Sequence, residues 1–183
     1  DGGIHPRFGT RNFTASLKNG LYIEVVCPLD HPSTESTPWG KAVSTMANEG
    51  GGWFTWVFST KDITPFEEKF GRPSVEGHRT RPAGSDLKWK QIGVKEITDS
   101  RELPFFIQWL TEDHPSKDGN AVSKIEKIVI ADKDQLAESW FKAEILGALN
   151  NVTIDWVDPS TNDGDNGIVA VHLSTPNGSV VLD

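Results

Sequence analysis

Glu24 is the residue whose placement most demands a chemical explanation. It sits in Leu21-Tyr22-Ile23-Glu24-Val25-Val26, a run that reads as a strand with Tyr22 and Val26 on Glu24's own face. A carboxylate there must reach water, find a partner, or serve as a general base or metal ligand, because an unpaired buried charge is costly. Arg79 and Arg81 alternate on another strand and so point the same way. Two guanidiniums side by side either clamp a carboxylate or phosphate, or pair with a nearby acid. His5 flanks the first hairpin and reads as a solvated or hydrogen-bonded structural histidine. Thr10 and Asn12 are placed to bond a ligand or the hairpin backbone. Trp89 and Trp109, with Gln108 as a polar anchor, are candidates for a pocket wall; the alternative for each aromatic is plain core packing.

Other residues carry less. His31 and His114 each precede a proline in a polar loop and read as solvated turns. Cys27 is the single cysteine and no cationic neighbour is evident, so it reads as a buried structural thiol. No intrachain disulfide is possible, and a reducing, cytoplasmic compartment is the expectation. A net charge of −8 argues against nucleic acid and anionic membranes as partners. No apolar run is long enough for a transmembrane helix. There is no Gly-rich phosphate loop, His-Glu-x-x-His or serine elbow, so nucleotide binding and nucleophilic hydrolysis lack support.

The elements that must position these side chains follow from periodicity. Residues 5–26 read as a hairpin around a two-residue Asn19-Gly20 turn, with Phe13, Ala15, Leu17 and Leu21, Ile23, Val25 as its apolar faces. Trp39 starts a short helix that ends at Gly50-Gly51-Gly52, and residues 53–60 read as a strand. Thr64-Pro65-Phe66-Glu67 predicts a capping box, and Gly71 the helix end. Residues 74–95 form a second hairpin turning at Pro82-Ala83-Gly84-Ser85. Residues 103–110, apolar on both faces, form a central strand. Residues 111–120 are a polar linker. The last third reads as strand 125–131, a helix opened by Asp132 and Gln135 and lined by Leu136, Trp140 and Ile145, strand 152–156, and a hairpin across Pro176-Asn177-Gly178-Ser179. Lys61-Asp62 and Lys133-Asp134 mark corresponding places, so each unit reads β-α-β-β-β, and the opening hairpin fits the end of a further unit.

The runs His5-Pro6-x-x-Gly9-Thr10-x-Asn12 and Gly20-x-Tyr22-Ile23-Glu24, then Arg79-Thr80-Arg81-Pro82-x-Gly84, Leu87-x-Trp89 and Leu103-Pro104-Phe105-Phe106-Ile107-x-Trp109, resemble the glyoxalase-like domains of the vicinal oxygen chelate superfamily. The resemblance implies an α+β fold of tandem βαβββ units, whose curved mixed sheets enclose a pocket. The first unit would lack its opening strand and helix. Residues 1–118 would form the glyoxalase-like domain, and 119–183 a third βαβββ-like unit packed on it. It also implies a small-molecule ligand, a divalent metal ion held by a His and a Glu from each of two units, and a homodimer as a possible assembly. Glu24 matches the carboxylate of the first unit, and His5 could stand in for its histidine. The second unit offers only Thr55 and Gln108, which are weak ligands for a transition metal. The function implied is small-molecule binding, with metal-assisted lyase, isomerase or dioxygenase chemistry at Glu24 as one form. Non-catalytic sequestration of a hydrophobic or anionic compound is the other.

Overall fold

The computed structural model describes residues 1–82, 84, 86–133, 149 and 151–183. The expected helix of the last third falls on 134–148 and lies outside the described residues, as do Ala83 and Ser85 of the second turn.

Seven strands form one mixed sheet in the order β3-β2-β1-β5-β6-β7-β4. These are β1 (Gly3–His5), β2 (Thr10–Ser16), β3 (Tyr22–Pro28), β4 (Val57–Ser59), β5 (Val75–Thr80), β6 (Asp86–Ile92) and β7 (Phe105–Trp109). The two halves meet where β1 pairs with β5 at Ile4 and Thr80. Its second half is a complete βαβββ unit, with β4 running parallel to β7. Between them lies α3 (Thr64–Phe70), whose Phe66 stacks on Phe106 at 3.9 Å between ring centroids. The first half holds β1, β2 and β3, so its outer edge is β3. The fold is mixed α+β with a curved sheet, as the sequence implies.

A second sheet has the order β11-β10-β8-β9: β8 (Lys124–Ala131), β9 (Thr153–Val157), β10 (Gly167–Thr175) and β11 (Gly178–Leu182). The strands follow one another along the chain as expected, but their sheet order differs from that of the second unit. There the first strand pairs in parallel with the last; here β8 pairs in parallel with β9 and antiparallel with β10. β8 is therefore central, which suits its continuous run Ile128-Val129-Ile130-Ala131. The likeness at Lys61-Asp62 and Lys133-Asp134 does not extend to strand order. Ile130, Ile168, Val171 and Leu173 belong to the same buried cluster as Trp89, Phe105 and Ile107, so one core joins the sheets.

Local chemistry explains most boundaries. Asn19 (φ 62°) and Gly20 (φ 73°) adopt the left-handed turn expected of them, but within a five-residue loop closed by Leu17 N–H to Leu21 C=O at 2.8 Å. α1 (Pro32–Ser36) is capped by His31, whose Nδ1 accepts from the Ser33 N–H. α2 (Pro38–Asn48) is capped by Thr37, whose Oγ1 accepts from the Gly40 N–H at 3.1 Å. The capping box at Thr64 does not form. Asp62 Oδ1 takes the Thr64 N–H at 3.0 Å, and Glu67 instead accepts from the N–H and hydroxyl of Ser74. Gly71 ends α3 at φ 62°, as expected. Of the 53–60 strand only Val57–Ser59 pairs with a neighbour; Trp53 to Trp56 approach as extended chain.

Candidate functional site

The first hairpin does not bury all of its apolar face. Phe13 and Val25 are 48% and 66% exposed, whereas Thr10 and Asn12 are buried. The polar face of β2 and the Tyr22-Glu24-Val26 face of β3 point inward. Cys27 shares the outward face with Val25 and is only half-buried.

Inward lies a cavity of about 990 Å³ between the concave face of the large sheet and the second sheet. That volume suits a drug-sized ligand. Its walls are aromatic and aliphatic: Trp39 and Val43 of α2, Trp53, Phe54 and Trp56, then Trp89, Phe105, Ile107 and Trp109. The second sheet adds Ile125, Ile128, Ile154, Ile168 and Val171. Polar groups gather at one end, contributed by His5, Asn12, Tyr22, Glu24, Arg79 and His114.

Each of these is held by a definable contact. Asn12 Oδ1 accepts from Arg79 Nη1 at 3.1 Å. Arg79 is 2% exposed and its Nη2 reaches Asp118 Oδ2 at 3.3 Å. Burial, first, raises the Glu24 pKa; the Asn12 hydrogen bond and the Arg79 charge oppose this. Burial likewise pushes the Tyr22 hydroxyl up, with the Glu24 charge adding to it. Glu24 and Tyr22 keep some accessible surface because they border the cavity, yet both lie deep beneath protein atoms. His5 is buried, and its Nδ1 shares a hydrogen bond with Thr10 Oγ1 at 2.8 Å. Burial, then the charges of Arg79 and His78, lower its pKa to about 3, so the ring is neutral. Trp89 is fixed by donating from Nε1 to Gln91 Oε1 at 2.6 Å, and its ring meets His5 edge-on at 5.7 Å.

Of the residues singled out from sequence, the cavity brings together Glu24, His5, Asn12, Arg79, Trp89 and Trp109. Thr10 sits behind His5 and positions it. Arg81 does not border the cavity. Its Nη2 binds Asp118 Oδ1 at 2.7 Å, so the two-arginine clamp is closed by the protein's own carboxylate. Gln108 lies on the opposite sheet face, where its Oε1 accepts the Ile63 N–H at 3.1 Å ahead of α3. The inward positions of β7 are Phe105, Ile107 and Trp109 instead.

Sequence reasoning missed Tyr22 and His114 as site residues. His114 is no solvated turn, because its ring packs against Trp109 at 5.0 Å and Tyr22 at 5.5 Å. Linker 111–120 is a strap folded under β2, tied by Ser16 Oγ donating to Pro115 C=O at 2.9 Å. No local sequence signal marks His114; only the strap's tertiary course puts it there. The contribution of the second sheet is equally non-local.

A family model described as a glyoxalase-like domain matches residues 1–146. The chain belongs to that family. The glyoxalase-like domain resembles the crystal structure of a hypothetical protein from Staphylococcus aureus, with a TM-score of 0.56 at 22% identity. That alignment covers 77% of this chain and 64% of the other, so the chain spans under two thirds of that protein's length, and the likeness speaks for the fold alone. No curated protein matches. The family implies a divalent cation, but the donors on hand do not fit one. Among the described residues no three His, Cys, Asp or Glu side chains converge. The Arg79 guanidinium acts electrostatically on both Glu24 and His5, which disfavours a second cation there.

Proposed function

We propose that this glyoxalase-like domain binds a small organic molecule with an apolar body and one polar head. The body would lie against the aromatic and aliphatic walls, and the head among His5, Asn12, Tyr22, Glu24 and Arg79. The observation that supports the reading is the gathering of these polar groups in a cavity whose walls are mostly apolar. The test is displacement of the neutral dye Nile red, followed by its emission. Saturable binding that Ile128→Trp abolishes, by filling the cavity, is expected. Binding indifferent to that substitution would overturn the reading.

A second reading adds chemistry at Glu24. Its raised pKa makes it a stronger base than an exposed carboxylate, suited to moving a proton at a carbon next to a carbonyl. Arg79 and the Asn12–Glu24 contact would then orient the reacting oxygen, and the dry walls would strengthen that electrostatic hold. Proton exchange into a panel of 2-oxo and 2-hydroxy ketones in heavy water, followed by NMR, checks it. Exchange lost in Glu24→Gln supports catalysis; binding without exchange leaves the domain a sequestration module.

Among the described residues no helix is long and apolar enough to cross a membrane. The single Cys27 supports a reducing, cytoplasmic location. A homodimer is supported by the exposed Phe13 and Val25 on the outer sheet face, and sedimentation checks it.

A further inference from the structure

Arg79 is the most deeply buried cation of the chain's polar cluster, and it is under-used. A guanidinium carries five N–H donors. Two are engaged, Nη1 by Asn12 and Nη2 by Asp118, and Nε is buried with no acceptor among the described residues. The side chain borders the cavity at its polar end. A buried donor without an acceptor costs free energy that a ligand acceptor would recover.

The charges around it decide which acceptor. Asp118 is shared with Arg81, so it serves two guanidiniums with one carboxylate. His5, Tyr22, Glu24 and His114 border the same cavity, and Glu24 and Asp118 are the acids whose charges act on Arg79. A cationic head would face the Arg79 charge directly. A neutral head would offer the unused Arg79 donors a weaker acceptor than a charged one.

We propose that the head group taken by this cavity is a carboxylate, with Arg79 as its counter-charge, so that the ligand class is an apolar monocarboxylic acid. The proposal rests on the small-molecule reading above and narrows it. Arg81 takes no part, since it stands outside the cavity behind Asp118. Lys61, the other basic residue at the cavity, is exposed and offers a far weaker, solvent-screened hold.

Three probes of one chain length separate the possibilities: dodecanoate, dodecanol and dodecylamine, each competed against Nile red on the wild-type chain. Dodecanoate is expected to bind about tenfold or more tighter than dodecanol, from one charge-assisted pair, and dodecylamine weakest. Arg79→Gln should erase the preference for the acid over the alcohol, while Arg81→Met and Lys61→Met preserve it. Circular dichroism checks that each variant folds; should Arg79→Gln not fold, the wild-type series alone decides. Equal binding of acid and alcohol overturns the carboxylate assignment while leaving the cavity reading intact. Tightest binding by the amine overturns it in favour of Glu24 as the counter-charge. Loss of the preference in Lys61→Met moves the head to the rim and overturns it too. Failure of Nile red itself to bind in the cavity is the separate failure of the broader reading.

Discussion

Asn12 Oδ1 accepts from Arg79 Nη1 at 3.1 Å, joining two residues 67 positions apart across the junction of the half-sheets. The same amide also acts on Glu24, holding its pKa down against burial. Asn12→Leu removes the bond to Arg79 at a site 1% exposed. It should cost about 1–3 kcal/mol, the penalty of stranding buried polar groups. Urea unfolding measures this, and an unchanged midpoint would show that the bridge contributes nothing.

Gly2 holds that pair in place from behind. A Cβ there would meet Asn12 Oδ1 at 2.3 Å and Arg79 Nη1 at 2.6 Å. Gly2→Ala should therefore push the pair apart, with a stability loss of about 1–3 kcal/mol from overpacking and weaker ligand binding. Ligand affinity equal to wild type would mean the pair shifts without consequence.

His5 and Glu24 give opposite pH signatures. The native His5 pKa is about 3 against 6.5 for the free side chain, so between those values the unfolded chain takes a proton that the fold refuses. Stability should fall as pH drops through that window, by up to about 1.4 kcal/mol per pH unit from this group. His5→Gln should flatten the slope. The Glu24 pKa is raised above 4.5, so its penalty is absent below 4.5 and grows as pH rises through the native value. Glu24→Gln should consequently stabilise the chain at neutral pH and make little difference near pH 4. A Gln variant less stable than wild type at pH 7 would contradict the raised pKa.

Gln108 supplies the contrast. Its Oε1 caps the Ile63 N–H on the helix side of the sheet. Gln108→Ala should cost about 0.5–1.5 kcal/mol, one net hydrogen bond, and leave ligand affinity untouched. A drop in affinity would place it in the site after all.

What the sequence revealed, and what it hid, follow one physical line. Hairpin β5–β6 with Leu87, Trp89 and Gln91 inward, the left-handed Asn19-Gly20, and Gly71 at the end of α3 are all legible, since each is set by local backbone or by alternation over an apolar core. The exposure of Phe13 and Val25 was not. Alternation assigns the apolar side to the inside, but here the inside is a polar site, so Phe13 and Val25 face out and Asn12 and Glu24 face in. β7 is apolar on both faces, so its pattern could not say that Gln108 points toward α3. The membership of Glu24, Arg79 and Trp89 in one site was legible through residue type and resemblance. The roles of Asp118 and His114 depend on how the strap at 111–120 folds back, and no periodicity encodes that.

The first hairpin also sets an order of assembly. Phe66 stacked on Phe106 on one face, with Leu87 and Ile107 buried on the other, gives the second half-sheet its own apolar drive to collapse. β2 and β3 bury Thr10 and Asn12 and leave Phe13 and Val25 exposed, so they gain less by closing alone. They become stable only once Arg79 and the strap stand ready to receive Asn12 and Ser16. Amide protons of β2 and β3 should therefore exchange with solvent ahead of those in β6 and β7, the strands against which the cavity is built.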